Sequence, residues 1–158
     1  MNFYDSSAYS ISIIQPSKLN FNRIVSFLKS VDLSFYEPLS ERIIIEDYAQ
    51  KLSQRAVNIF ITDSLKDIAH AAFYISEREF KIFLSSIAVI DDYKNRGVGS
   101  FLLSSVENYA IENQFSIIEL EVDSRSNNLK EFYKKNGYNQ YHSINNNELK
   151  VIKLMKAL

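Results

Sequence analysis

The sequence predicts an α+β fold: a mixed, mostly antiparallel central sheet of six to seven strands, flanked by about four helices. Three observations lead there. Apolar runs rich in Ile, Val and Phe between Ala56 and Ile90 are separated only by short polar turns, and connections that short join antiparallel strands. Two stretches of helical spacing precede most of these runs. Finally, the chain has only three glycines, all in two short segments, Lys94 to Ser100 and Phe132 to Tyr138, each placed beside a predicted helix.

In chain order, the first strand is read over about Ser10 to Gln15. Pro16-Ser17 then offers a helix start, and Phe21, Ile24, Val25, Phe27, Leu28 and Val31 follow at helical spacing. A turn around Glu37-Pro38-Leu39-Ser40 leads to a second helix through Ile45, Tyr48, Ala49 and Leu52. Strands follow at Ala56 to Thr62, Ile68 to Ile75 and Phe80 to Ile90, with turns at Asp63 to Asp67 and Ser76 to Glu79. The third runs into the first glycine segment, after which Phe101, Leu102, Val106, Tyr109 and Ala110 mark a longer helix. Ser116 to Val122 is the next strand; because a helix leads to it, it is predicted parallel to its predecessor. A short helix over about Asn127 to Asn136 carries Leu129, Phe132 and Tyr133 on one face, and Gly137 is suited to end it in the left-handed region. Two closing strands, near Tyr138 to Ile144 and Glu148 to Met155, flank a turn at Asn145-Asn146-Asn147. No repeat or linker interrupts the chain, so residues 1–158 are read as one domain.

With 46% of residues hydrophobic and 13% aromatic, the chain can build a full core. Its formal charge of −1, from 18 basic and 19 acidic residues, gives no overall field for nucleic acid or an anionic membrane. Lack of cysteine excludes disulfides, a thiolate nucleophile and sulfur-ligated zinc. The two histidines, His70 and His142, lie far apart without ligand spacing, so no metal is expected. Met1 to Ser7 lacks the pattern of a secretory signal, and no apolar run approaches the ~18 residues of a membrane span. A cytoplasmic protein is expected.

The chemistry is suggested by order: apolar strand, polar turn Asp91-Asp92-Tyr93, then Lys94-Asn95-Arg96-Gly97-Val98-Gly99-Ser100, then helix. The first turn of that helix presents unpaired amides to which its dipole draws negative charge, a setting that suits a pyrophosphate. Gly-x-Gly alone equally describes a tight strand-to-helix turn in which glycine permits close packing. A dinucleotide fingerprint wants a third small residue where this chain has Leu102, and a Walker loop wants a Gly-Lys-Ser or Gly-Lys-Thr that is absent.

Lys94 to Ser100 resembles the Gln/Arg-x-x-Gly-x-Gly/Ala signature of the GNAT superfamily of N-acetyltransferases, with Lys94 in place of the usual Gln or Arg. Ser86-Ile87-Ala88-Val89 resembles that family's fourth strand and Leu120-Glu121-Val122 its fifth. Ser126 to Tyr138 resembles its Asn-x-x-Ala-x-x-x-Tyr-x-x-x-Gly-Phe segment. The resemblance covers about Ile68 to Tyr138, and the element order agrees over nearly the whole chain.

The resemblance implies acetyl-CoA as co-substrate, lying where the fourth and fifth strands splay apart. Its pantetheine arm would pair with Ile87, Ala88 and Val89, and its pyrophosphate would rest on the amides of Arg96, Gly97, Val98, Gly99 and Ser100, beside Lys94 and Asn95. Transfer in the family is usually direct, from the thioester to an amine, with a tyrosine protonating the departing thiolate. Tyr133 holds that tyrosine's position; a packing role beside Leu129 and Phe132 is the other reading. Counting back seven residues from Tyr133 lands on Ser126, so Asn127 is carried over only as a pantetheine contact.

For the base, many relatives place a glutamate on the fourth strand, where this chain reads Leu84-Ser85-Ser86-Ile87. Glu119 and Glu121 share one face of the fifth strand by alternation, and Glu121 is the candidate base acting through water; both also suit a solvated face. His70 has a useful unperturbed pKa, although a lone strand histidine is commonly packing. The segment Phe35 to Arg42, followed by Tyr48 to Leu52, resembles a branch of the family associated with polysaccharide biosynthesis. That favours a small-molecule amine, such as an amino-sugar, with Glu37, Glu41 and Arg42 as candidate pocket residues. The competing readings are a CoA-binding sensor or scaffold, an acetyltransferase for a protein N-terminus or lysine, and a module binding another nucleotide. A homodimer through an exposed edge at Val151 to Met155 is a further expectation.

Overall fold

The computed structural model describes residues 9–146 and 149–158, with side chains described outside 142–150. The chain runs β1 (Tyr9–Ile14), α1 (Phe21–Ser30), α2 (Leu39–Arg42), α3 (Ile45–Arg55), β2 (Val57–Asp63), β3 (Lys66–Ser76), β4 (Lys81–Val89), α4 (Val98–Glu112), β5 (Ile117–Asp123), α5 (Asn127–Lys135), β6 (Asn139–Asn146) and β7 (Leu149–Ala157). The strands form one sheet in the order β1-β2-β3-β4-β5-β7-β6, parallel only between β4 and β5. This is the predicted α+β sandwich, with seven strands.

Helices cover both faces of the sheet, which is why β2 and β3 read as nearly unbroken apolar runs. On one face α1 and α3 pack together: Phe27 of α1 meets the rings of Phe60 and His70, and the buried Asn58 amide donates to the Leu52 and Ala56 carbonyls at the end of α3. On the other face α4 lies across the sheet, with Tyr109 against Phe73 at 5.1 Å between ring centres. Among the described residues no helix is long and apolar enough to cross a membrane.

Several boundaries differ from the sequence reading, each for a local reason. The turn expected at Glu37 to Ser40 contains the start of a fifth, single-turn helix, α2, where Asp32 accepts from both the Ser40 amide and its hydroxyl. Phe80 lies outside β4 because its φ of +49° turns the chain into the strand. Strand β6 extends to Asn146, which pairs with Leu149, so Asn145 and Asn146 belong to the ladder and Asn147 lies outside the described residues. Val151 to Met155 is not an edge: β7 is inserted between β5 and β6, and the sheet ends at β1 and β6. The dimer surface expected there is therefore already paired within the chain.

Gly97 stands at the N-cap position of α4 at φ +79° with no side chain to cap it, whereas Gly99 has no positive φ and sits in the first turn. Gly97→Ala is accordingly expected to cost about 1–2 kcal/mol in chemical denaturation. Gly99→Ala should cost less, since its Cβ would only touch the Phe132 ring at 3.4 Å. Equal losses would show that φ at Gly97 is not the constraint.

Candidate active site

β4 and β5 pair over four rungs, from Lys81↔Ile117 to Leu84↔Leu120, and then part. The cause lies in the neighbouring ladder. Ala72 pairs with Ser86 and Phe73 with Leu84, leaving Ser85 as the extra residue of a bulge. A bulge bends its strand and increases its twist, so β4 turns away while β5 continues along β7 through Asp123. From Ser86 to Val89, β4 keeps β3 on one side and, among the described residues, has no strand on the other. Ile87, Ala88 and Val89 thus offer unpaired backbone groups to the cleft, as expected of a splayed pair.

At the end of β4 the chain enters a tight turn, with Asn95 at φ +57° and Gly97 at +79°, before α4 begins. The first amide to find an acceptor within α4 is that of Phe101, on the Gly97 carbonyl at 2.9 Å. No side chain caps this end and no acidic residue stands in its first turn. The amides of Val98, Gly99 and Ser100 and the helix dipole therefore meet an anion unopposed. Lys94 is held by Asp91 at 2.6 Å, and the Arg96 guanidinium lies over the Tyr93 ring at 5.4 Å. Tyr93 in turn donates to Asp63 at 2.6 Å, which anchors the turn to the sheet.

Helix α5 is brought to the same place by packing. Phe132 lies against Gly99 in space that a side chain there would share, so the second glycine serves helix contact as well as the turn. Tyr133, the next residue, is buried between Phe132 and Tyr138, with ring centres 5.1 and 5.5 Å away. Gly137 at φ +88° closes the helix: its amide donates to the Lys134 carbonyl, and the Tyr138 amide donates to Tyr133's own carbonyl at 3.0 Å. This is a Schellman closure, whose usual apolar contact is here Tyr133 against Tyr138. Burial pushes the Tyr133 phenol well above its ordinary range, so it is a neutral donor. Leu129, expected on the same face, is largely exposed. Asn127 is exposed at the start of α5, while Ser126 before it is buried.

Glu121 is the first β5 residue beyond the last rung, as Ser85 is on β4, and alternation from the buried Leu84–Leu120 pair sends both to the opposite face. Glu121 is paired with Lys153 at 3.7 Å, and Glu119 with Lys81 at 3.1 Å. On that face the Tyr48 hydroxyl meets the Ser85 hydroxyl at 3.0 Å, and burial raises the Tyr48 phenol above its ordinary value. A cavity of about 210 Å³ opens there, lined by Phe35, Leu39, Arg42, Ile43, Tyr48, Ser85 and Ser86. Of the charged residues expected to line a pocket, Arg42 does. Glu37 is instead tied to Arg125 at 3.0 Å, and Glu41 is not part of the lining. Arg125 also grips Asp123 at 2.6 Å and stacks on Tyr36, joining the segment before α2 to the far end of β5.

His70 lies away from this cleft. Asn58 spends its amide nitrogen on two carbonyls, so its oxygen accepts from His70 Nε2 at 2.9 Å and Nδ1 is left as the unprotonated, unpartnered nitrogen. Full burial between Phe27 and Phe60 lowers its pKa to about 3, against the partial opposing pull of Asp67. It is a neutral core residue and does not titrate in the useful range. The sequence reading missed the Tyr48–Ser85 contact and the Arg125 clamp. The signal for the first was present: Ser85-Ser86 interrupts the alternation of an apolar strand, as a bulge does.

The profile of the Acetyltransferase (GNAT) family matches residues 25–138, from α1 through the end of the Gly137 closure. The chain belongs to the GNAT acetyltransferase family. Comparison with curated proteins by sequence gives no match. Among solved structures, the chain is similar to the ribosomal-protein-S18-alanine N-acetyltransferase from Escherichia coli (TM-score 0.73, 17% identity, 94% of this chain and 93% of that one). It is also similar to Ard1 from Thermoplasma volcanium (TM-score 0.73, 16% identity, 96% and 98% covered). A third is the PaiA N-acetyltransferase from Thermoplasma acidophilum in complex with coenzyme A (TM-score 0.72, 14% identity, 94% and 99% covered). At these identities the likeness is one of fold. Membership of the GNAT family carries acetyl-CoA as the donor the family uses, and the parted strands and uncapped α4 are suited to it. Among the described residues no group of three His, Cys, Asp or Glu could hold a metal ion.

Proposed function

We propose that the chain transfers the acetyl group of acetyl-CoA to the amine of a small molecule. The observation that carries this reading is the parting of β4 and β5 beside an uncapped helix N-terminus. Acetyl-CoA supplies the activated acetyl thioester. The open edge at Ile87, Ala88 and Val89 hydrogen-bonds its amide-bearing arm, and the turn from Lys94 through Asn95, Arg96, Gly97, Val98 and Gly99 to Ser100 receives the pyrophosphate. Asn127, exposed at the start of α5, adds a contact to the same arm.

The acceptor nitrogen attacks the carbonyl carbon, the carbon–nitrogen bond forms and the carbon–sulfur bond breaks. Tyr133 gives its hydroxyl proton to the departing sulfur. Glu121, at the fork, takes the amine's proton through water. The small volume beside Ser85 favours a small acceptor over a protein chain.

The test is a thermal-shift titration with acetyl-CoA, CoA, NAD and ATP. A ligand at ~100 times its Kd stabilises by about 2.7 kcal/mol, and only acetyl-CoA and CoA are expected to do so. Gly99→Glu, which brings a carboxylate to the anion site, should stay folded and lose the effect. A shift by NAD or ATP alone would replace the reading with another nucleotide.

A second reading, a CoA-binding sensor or scaffold, is favoured by one observation: β4 carries Ser85 and Ser86 where many relatives have a glutamate. Release of free CoA thiol with any of a panel of amines decides between the two.

A further inference from the structure

The cavity beside the β4 bulge has an unusual charge for a site that receives an amine. Arg42 is the one charged residue among its seven described lining residues, none of which is a carboxylate. Three carboxylates of the surrounding segments are already engaged. Asp123 accepts from the Arg125 side chain and amide, Glu37 accepts from Arg125, and Asp32 accepts from Ser40. Arg42 itself has no ion pair among the described residues; its guanidinium rests over Phe35 at 6.0 Å and is felt by Asp123 only through space. The other polar groups are hydroxyls: Tyr48 bonded to Ser85, Ser86 below, and behind them the buried Tyr74 hydroxyl, which lies beside Ser85 with no partner.

We propose that this cavity holds the anionic group of the acceptor, so that the substrate is a small amine that also carries a carboxylate or a phosphate, read by Arg42. The inference rests on the acetyl-transfer reading and names the substrate class of the same site. A guanidinium presents a fork of N–H donors that matches both anions, and an apolar wall such as Phe35, Leu39 and Ile43 strengthens the contact by excluding water. The same cation disfavours a polyamine, whose second charge would meet Arg42 while the neighbouring Asp123 is already held by Arg125. The hydroxyl cluster of Tyr48, Ser85 and Ser86 suits a hydroxylated substrate body between the anion and the amine.

The experiment uses the full chain saturated with CoA, so that the α4 anion site is filled, and measures binding by calorimetry. Two matched pairs separate the sources of the anion: glucosamine 6-phosphate against glucosamine, and serine against serinamide. In one pair the member carrying the phosphate or carboxylate is expected to bind about 10- to 100-fold more tightly than the partner lacking it. Arg42→Ala should remove that difference by weakening the member that carries the anion, and Arg42→Lys should restore part of it. The pair that responds tells phosphate from carboxylate.

Equal or tighter binding of the members lacking the anion overturns the proposal, as does a loss in Arg42→Ala that falls alike on both members of a pair, or no Arg42-dependent binding of any anion. Because binding is read without turnover, an anion that binds through Arg42 while no amine is acetylated would defeat the catalytic reading alone.

Discussion

Tyr133→Phe is expected to lower turnover by about 10²–10⁴-fold while leaving acetyl-CoA affinity and stability unchanged. The substitution removes one oxygen and nothing else that holds the ring. Phe132 and Tyr138 still pack against it, and the Gly137 closure still fixes the backbone through the Tyr133 carbonyl. Burial is the only cause raising the Tyr133 phenol, and it acts in the direction that keeps the proton on. The donor is therefore present throughout the neutral range, and an alkaline fall in rate should not come from its ionisation. Rates of thiol release, with cofactor binding measured on the same samples, check this. A loss below about 10-fold would assign Tyr133 to packing and leave protonation of sulfur to water.

Acid should unfold the chain through His70. The folded pKa near 3 lies below the ordinary 6.5, so between these values the unfolded chain binds a proton that the folded chain refuses. Stability is fully present above pH 6.5 and falls by about 1.4 kcal/mol per unit as pH drops toward 3. Over the window from pH 6.5 to 4, above the range where Asp67 and Asp123 lose their ion pairs, the loss comes to about 3 kcal/mol. His70→Gln can still donate to Asn58 and carries no titrating group. Denaturant midpoints across this window should slope steeply for the natural chain and much less for the variant. Parallel slopes would mean that the buried imidazole is not the source.

Much of the fold was legible because the strands and helices of this chain are marked by local chemistry. The meander of β2, β3 and β4 follows from short polar connections, and the parallel step to β5 from the helix between them. Gly97 and Gly137 could be read because positive φ leaves few alternatives. What stayed hidden depends on contacts remote in sequence. Whether β7 lies at an edge is decided by the order in which the last hairpin docks on β5, and both strands look alike in isolation. His70 is neutral because Phe27, Asn58 and Phe60 surround it, from two other elements. Glu37 is occupied because Arg125, 88 positions away, reaches it. The Tyr48–Ser85 contact likewise joins a helix and a strand 37 positions apart: the serine pair marks the bulge but does not name its partner.

The gap beyond Leu84 and Leu120 also bears on how long the chain survives. A ladder missing a run of rungs leaves the middle of the sheet as the place where water, a protease or a stray strand can enter. On the proposed reading the donor molecule fills that gap as an eighth strand would, so the metabolite is part of the scaffold as well as the reagent. Folded lifetime is then coupled to metabolic supply: when the donor is scarce, the protein loses the protection that the bound donor gives it.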